Sequence, residues 1–171
     1  MSLDNTKLFG LLEIIDKETP RKITLVAAGG TAMTLLNLKP STIDIDFTAP
    51  AEDARLFNKI QMSIPHGFTI QCFEDGAVFV NMLPDDYLTT SIPIKTKTKN
   101  IKLRALHPVD IVVTKIGRLE GRDMQDIESC IKNSKLNEKQ IVNRSKQLLP
   151  VSLERKYQKN LQIVKKQFFG R

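Results

Sequence analysis

The architecture of this chain is predicted from one segment, which reads Gly29-Gly30-Thr31-Ala32-Met33, continues through a short amphipathic run and ends with Ser41-Thr42-Ile43-Asp44-Ile45-Asp46-Phe47. The run before it, Ile23 to Ala28, is rich in residues that favour strands. It predicts a buried strand that ends where Gly29 and Gly30 can turn without steric penalty, and a helix is expected to begin there.

The second half of the segment alternates apolar and acidic residues. A strand over 43–48 would place Asp44 and Asp46 on one face and the three apolar side chains of this run on the other. Two neighbouring carboxylates repel each other unless a cation compensates them. In a basic cleft they form an oxygen-rich site suited to Mg²⁺ that carries a nucleotide phosphate.

Length and composition predict one domain over residues 1–171, with 41% hydrophobic and 26% charged residues, as in ordinary globular proteins. No apolar run approaches the roughly 20 residues needed to span a membrane, so no membrane partner is expected. The N-terminus lacks the order of a signal peptide, which predicts a cytoplasmic protein. Cys72 and Cys130 are expected to be buried free thiols.

The net charge of +7 is unevenly distributed along the chain. Residues 132–171 carry a net charge of +9, whereas the rest of the chain carries −2. This asymmetry favours a polyanionic partner such as RNA, bound through basic C-terminal helices. The alternative is a solvated helical surface without a partner.

The predicted elements place a small sheet in the first part of the chain and helices in the second. They are a helix capped by Asp4 through 17, strand 23–28, helix 31–38, strand 43–48, a helix headed by Pro50 through 62, a hairpin of 68–73 and 77–83, a loop or edge strand in 88–99, strand 101–105, and helices 108–119, 122–132, 137 or 138–149 and 152–169. This order predicts an α+β fold with a small mixed sheet and packed helices over 1–106, and a helical C-terminal part over 107–171.

The glycine turn and the Asp44-Ile45-Asp46 step resemble the signature of the polymerase β-like nucleotidyltransferase superfamily. They are most similar to its small prokaryotic members, including toxins of toxin–antitoxin and abortive-infection systems. A second region, 108–118 followed by 122–127, looks like the helix pair that such members carry after their sheet. The resemblance covers about residues 23–131.

The resemblance implies a nucleoside triphosphate as substrate, with an RNA or a protein as acceptor and an antitoxin protein as a further partner. Gly29 and Gly30 would let the backbone approach the triphosphate, and Thr31 would supply a hydroxyl or an amide. Asp44 and Asp46 would hold Mg²⁺, which neutralises charge as the α-phosphoryl group is transferred.

The resemblance also assigns roles to the helix pair. Lys115 would neutralise phosphate, although a lysine that extends from a core helix to solvent is an alternative. Arg118, one turn later, could join it on the same face. A further set, Arg122, Asp123 and Asp126, is expected to form ion pairs that fix Lys115, with substrate contact as the alternative.

One position departs from the family pattern. Where these proteins carry a third catalytic carboxylate before a Leu-Pro step, this chain has Asn81, and an amide can neither take a proton nor bring charge. The nearby acids Glu74, Asp75, Asp85 and Asp86 could replace it if the hairpin register differs.

Three functions are therefore open at the level of the sequence. The first is Mg²⁺-dependent transfer of a nucleoside monophosphate to RNA, for example tRNA, or to protein. The second is a catalytically degenerate member that binds nucleotide, RNA or a partner protein without turnover. The third is a basic RNA-binding domain that has no nucleotide site.

Overall fold

The structure is a computed structural model that describes residues 1–149 and 154–170. Within these ranges the helices are α1 Asn5–Lys17, α2 Gly29–Leu35, α3 Ala51–Ser63, α4 Tyr87–Thr90, α5 Pro108–Arg118, α6 Asp123–Ser134, α7 Glu138–Ser145 and α8 Glu154–Phe169. The strands are β1 Ile23–Ala27, β2 Ile45–Ala49, β3 Ile70–Glu74, β4 Ala77–Val78, β5 Asn81–Met82, β6 Ile92–Pro93 and β7 Ile101–Ala105.

The main sheet has five strands in the order β3-β2-β1-β7-β6. β1 pairs in parallel with β7, and β2 pairs in parallel with β3. The pairs β1–β2 and β6–β7 are antiparallel. The predicted α+β fold with a small mixed sheet is therefore confirmed, and the predicted bounds of β7 are the observed ones.

α5 connects the sheet to the C-terminal helices. Pro108 is its first residue, and the fixed φ of proline suits the start of a helix. The ring of His107 accepts a hydrogen bond from Val109 N (3.1 Å). Every residue from Ile111 to Gly117 is buried, and the helix packs against α2, α6, α7 and α8. Because residues of both 1–106 and 107–171 contribute to one hydrophobic cluster, α5 lies inside a continuous core.

The second strand starts later than predicted. β2 begins at Ile45, so Asp44 precedes the strand, and Ile43 is 66% exposed instead of buried on the apolar face. The physical reason lies in the carbonyl of Asp44, which accepts hydrogen bonds from the hydroxyls of Thr42 (2.8 Å) and Thr31 (3.2 Å). These bonds replace ladder pairing just before the strand.

The predicted hairpin of 68–73 and 77–83 is wrong. β3 pairs in parallel with β2, and the hairpin is the short β4–β5 pair inside residues 77–82. The chain turns away from the sheet at Asp75 and Gly76, both with positive φ. Asp75 accepts a hydrogen bond from Ala51 N (2.9 Å), and Gly76 N donates to Thr48 Oγ1 (2.9 Å). These bonds direct residues 77–82 across the end of the sheet.

The remaining differences concern ends of elements. α1 has the predicted extent, with Asp4 accepting a hydrogen bond from Lys7 N. α2 begins at Gly29, and α2 and α7 end earlier than expected, at Leu35 and Ser145. The loop or edge strand expected in 88–99 contains the edge strand β6. The last helix was predicted from 152, and residues 152 and 153 lie outside the described ranges.

Two predictions about the whole chain can also be compared with the structure. Cys72 and Cys130 are buried free thiols, as expected. Among the helices that the structure describes, none has the length and apolar character required to cross a membrane.

Gly117 on α5 provides a test of the packing against β5. A Cβ added there would clash with the side-chain nitrogen of Asn81, whereas a Cβ at Gly10 of α1 would meet nothing within 4 Å. We expect Gly117→Ala to lower the free energy of unfolding by about 1 to 3 kcal/mol through overpacking. Gly10→Ala should raise it by about 0.5 to 1 kcal/mol. Denaturant unfolding measures both changes, and equal stability of the two variants would contradict this packing.

Candidate nucleotide site

An open cleft of about 660 Å³ lies where the start of β2, the glycine turn, the end of α5 and the start of α6 meet. It is the region where the structure brings most of the predicted site residues together. The charged residues that line it are Lys39, Asp44, Asp46, Lys115, Arg118, Glu120, Arg122, Asp123 and Asp126. Gly30 and Phe79 also lie on its wall.

Asp44 and Asp46 open onto this cleft from the beginning of β2. Asp44 is exposed and Asp46 is half-buried. Burial, and secondly the negative charge of Asp44, raise the pKa of Asp46 to about 6, against the opposing effect of the Arg118 and Lys115 charges. Asp44 and Asp46 therefore form a like-charged pair on one cleft, which a shared cation would stabilise.

The glycine turn lies directly beside this carboxylate pair. Gly29 has φ +52°, and a Cβ there would lie 3.0 Å from the ring of Phe79 and 3.6 Å from Asp46 Oδ2. A Cβ at Gly30 would lie 2.8 Å from the hydroxyl of Thr42. Both positions therefore require glycine, and their backbone is held next to the carboxylates.

Thr31 fixes the spacing between the turn and the carboxylates. Its hydroxyl accepts a hydrogen bond from Asp46 N (3.0 Å) and donates one to Asp44 O (3.2 Å). The side chain is buried, and the hydroxyl predicted to contact phosphate is already engaged in these two bonds. Thr31 therefore holds α2 against the start of β2.

Lys115 is buried in the wall of the cleft, with only 3% of its side chain exposed. Its Nζ lies 3.0 Å from Asp123 Oδ1 and 2.9 Å from Asp126 Oδ2. These are two of the ion pairs that the sequence predicts for Lys115. Arg122, the third residue of that prediction, is exposed on the cleft wall.

Arg118 reaches the same acidic cluster from the next turn of α5. Its guanidinium donates to both carboxylate oxygens of Asp123, at 2.8 and 2.9 Å. Burial alone would raise the pKa of Asp123. The hydrogen bonds from Arg118, the charge of Lys115 and the backbone N–H of Glu120 together lower the pKa to about 2. Asp123 is therefore ionised at neutral pH.

Phe79 is a site residue that the sequence did not indicate. It occupies the turn between β4 and β5 with φ +55°, a backbone conformation that residues other than glycine rarely adopt. The guanidinium carbon of Arg118 lies 4.0 Å from the centre of its ring, in cation–π geometry. The strained turn thus places an aromatic ring between Gly29 and Arg118.

Asn81, the predicted third catalytic position, points away from the cleft lining. It is buried, donates to Thr114 O (3.2 Å) and packs against Gly117. The residue that is in register with Asp46 on the neighbouring strand is Gln71 of β3. Partners in register on adjacent parallel strands project from the same face, so this position adjoins Asp46. The position of Gln71 next to Asp46 follows only from the pairing of β3 with β2. The sequence had predicted that this segment pairs with 77–83 in a hairpin.

The acids considered as replacements for Asn81 have other positions and partners. Glu74 pairs with Arg55, and Asp86 pairs with Arg144. Asp75 caps α3, and Asp85 does not line the cleft. Across the described ranges, no cluster of three or more His, Cys, Asp or Glu side chains is placed to hold a metal ion.

The donor set of the cleft nevertheless fits Mg²⁺ that arrives with a nucleotide. Such an ion takes one or two protein carboxylates and completes its coordination with phosphate oxygens and water. Asp44 and Asp46 provide those two carboxylates. Their mutual repulsion, which contributes to the raised pKa of Asp46, would be relieved by the cation.

Comparisons with known proteins bear on the family and the fold of this chain. The family described as nucleotidyltransferase of unknown function (DUF6036) matches residues 6–168. Among solved structures, the chain is similar to an antigenic nucleotidyltransferase-like protein from Paracoccidioides brasiliensis. The TM-score is 0.56 at 16% identity, and 99% of this chain and 92% of that chain are covered. This likeness concerns the fold alone. The curated proteins contain no match.

The raised pKa of Asp46 makes a prediction about stability. Because its folded-state pKa of about 6 exceeds the ordinary 3.8, its stabilising contribution is complete below pH 3.8 and is lost as pH rises through 6. Without metal, Asp46→Asn should raise the free energy of unfolding at pH 7.5 by about 1 to 2 kcal/mol, after allowance for solvent screening. This increase in the free energy of unfolding should vanish near pH 3.5, where Asp46 of the unmodified chain is protonated in the folded protein.

Denaturant unfolding at both pH values measures this effect. Asp85→Asn, which removes an exposed carboxylate outside the cleft lining, is the matched control. A loss of stability in Asp46→Asn at pH 7.5 would contradict the electrostatic account.

Proposed function

Because the chain belongs to the family of nucleotidyltransferases of unknown function, we propose that it binds a nucleoside triphosphate with Mg²⁺ and transfers a nucleoside monophosphate to an acceptor hydroxyl. The new bond joins the α-phosphorus to the acceptor oxygen, pyrophosphate leaves as the α–β bond breaks, and the hydroxyl proton passes to solvent. One observation carries the proposal. Asp44 and Asp46 open onto the same cleft as Gly30, with the backbone of Gly29 beside Asp46. This is the arrangement that a triphosphate and its cation require.

In this proposal each part of the cleft has a separate task. Asp44 and Asp46 hold Mg²⁺, which when bound neutralises phosphate charge and polarises the reacting phosphoryl group. Gly29 and Gly30 let the chain turn tightly beside Asp46, and their backbone N–H groups would contact phosphate. Arg118, held by Asp123 and by the ring of Phe79, stabilises the negative charge that develops during transfer.

The acceptor that we propose is RNA. Four basic side chains of α8 are exposed to solvent, and they are Arg155, Lys156, Lys159 and Lys166. Such a row attracts a phosphate backbone regardless of its sequence. A protein acceptor, and a bound antitoxin protein that blocks the cleft, are the other partners that the family resemblance suggests. We propose that the reaction takes place in the cytoplasm.

The direction of α8 supports this assignment. The hydroxyl of Tyr157 donates to Val113 O (2.9 Å), and the amide of Asn160 donates to Ile116 O (2.8 Å). The later residue of α8 contacts the later residue of α5, so the two helices run in the same direction. Its last turns therefore lie toward the end of α5 that carries Arg118. An RNA bound along α8 would be directed toward the cleft.

A second candidate function is nucleotide binding without turnover. The observation that favours it is that Gln71, an amide residue, is the register partner of Asp46 on β3, a position from which a carboxylate could act as a base. Asn81 is also an amide and is buried against Gly117. With two carboxylates the cleft can hold a metal–nucleotide complex, and the proton of the acceptor hydroxyl would have to leave through solvent.

Transfer is tested by incubating the protein with α-labelled nucleoside triphosphates, Mg²⁺ and total RNA. We expect label in RNA that depends on Mg²⁺ and that falls by about 10²-fold or more in Asp44→Ala, because one ligand of the cation is lost. The measurement is the rate of label incorporation. Asp85→Ala should leave the rate unchanged.

Persistence of labelling in Asp44→Ala would contradict the proposed site. The acceptor is tested separately with a variant that combines Arg155→Gln, Lys159→Gln and Lys166→Gln. It should label RNA more slowly and with a weaker salt dependence, at unchanged nucleotide affinity. Label found in protein would replace RNA by a protein acceptor.

The second candidate makes a different prediction. If the chain binds nucleotide without turnover, calorimetry will detect Mg²⁺-dependent binding while no label is transferred. Gln71→Asp should then acquire transfer, because it introduces a carboxylate beside Asp46. Asn81→Asp is the matched control. It should not acquire transfer, because the side chain at position 81 packs against Gly117. Transfer by the unmodified chain would exclude this candidate.

A further inference from the structure

Lys39 is a cation of the cleft wall that the sequence did not indicate. It lies in the connection between α2 and β2, and 23% of its side chain is exposed. Its Nζ is 3.4 and 3.5 Å from the two carboxylate oxygens of Asp126. These distances are long for a charge-assisted hydrogen bond, so the contact is loose.

Asp126 has a second and closer partner. Nζ of the buried Lys115 lies 2.9 Å from Asp126 Oδ2, and it is also held by Asp123. If Lys39 moved away, the charge of Asp126 would remain paired. Lys115 has no such freedom, because its ammonium is buried and would have to give up two close carboxylate partners, Asp123 and Asp126. Of these two lysines, Lys39 is the one that can change partner.

The position of Lys39 relative to the glycine turn indicates what that partner is. Its Nζ lies 3.6 Å from the place where a Cβ of Gly30 would be. The ammonium therefore lies beside the turn at whose backbone the phosphate is proposed to bind. Asp44 and Asp46 line the same cleft as Lys39, so a phosphate and its cation could be contacted together there. A lysine on a flexible stem suits a phosphate as a point charge.

We propose that Lys39 binds the triphosphate and exchanges its contact with Asp126 for a contact with phosphate. Without nucleotide, Asp126 holds the ammonium near the turn and keeps it from pairing with Asp44 or Asp46. When nucleotide is present, Lys39 moves to phosphate and Asp126 stays paired with Lys115. This inference rests on the proposed function, and it transfers to Lys39 the phosphate contact first expected of Lys115.

Nucleotide affinity tests the inference. Calorimetry with each nucleoside triphosphate and Mg²⁺ should show about 10- to 100-fold weaker binding in Lys39→Gln, because one charge-assisted phosphate contact is lost. Lys39→Arg should retain most of the affinity. Asp126→Asn, which releases Lys39 in advance, should bind at least as tightly as the unmodified chain. Lys102→Gln, which removes an exposed lysine of β7, is the matched control.

The outcomes separate the inference from the proposed function. If the unmodified chain binds triphosphate and Asp44→Asn does not, while Lys39→Gln binds as well as the unmodified chain, the role of Lys39 is overturned and the proposed function stands. If the unmodified chain binds no triphosphate, both are overturned. If Lys39→Gln and Lys102→Gln weaken nucleotide binding equally, the role of Lys39 is also overturned. The loss would then come from the lower net positive charge of the protein.

A measurement on the unmodified chain covers the case in which a variant fails to fold. Acetylation of lysine amines, followed by mass spectrometry, reports the accessibility of each Nζ. A nucleoside triphosphate with Mg²⁺ should slow acetylation of Lys39 about fivefold or more and leave Lys102 unchanged, and the matching nucleoside should protect neither. Equal protection by the nucleoside would contradict a phosphate contact.

Discussion

The buried ammonium of Lys115 is the constraint on which the cleft depends. It sits in the apolar helix α5 and is neutralised by Asp123 and Asp126 from the first turns of α6. Removing one partner of such a buried pair typically costs about 3 to 5 kcal/mol, so the two helices are held at one spacing. That spacing places Arg118 and Lys39 on the cleft wall, because each shares a carboxylate with Lys115.

The cleft combines two kinds of charge in separate places. Asp44 and Asp46 repel each other at the start of β2, which favours a divalent cation. Arg118 and Lys39 bind carboxylates of α6, which keeps their positive charges near the turn without pairing them directly with Asp44 or Asp46. A triphosphate with its cation matches this arrangement, since it presents both signs of charge. Gln71, the register partner of Asp46, is an amide residue at a position where a carboxylate could act as a base.

Several parts of the fold could be predicted because their signals are local. A cap and a helical repeat identify α1, and alternating apolar residues identify β7, whose strand has the predicted bounds. The glycine turn and the two aspartates were also found from residue type and spacing. The hairpin was not, since strand pairing depends on distant partners. A turn at Gly76 is compatible with a hairpin, and only its bond to Thr48 shows that the chain leaves the sheet.

By itself the sequence determined the α+β class, the carboxylate pair and the glycines beside it, because each follows from local backbone preference and side-chain chemistry. Only the tertiary structure decided which basic side chains of the cleft are already held by close carboxylate partners. Lys115 has the sequence context of a phosphate-binding residue, yet its charge is already paired. Lys39, Phe79 and Gln71 carry no distinguishing signal in the sequence. Loop closure brings Phe79 to Gly29 and Lys39 to Gly30, and strand register places Gln71 next to Asp46, and both depend on contacts between residues far apart in the chain.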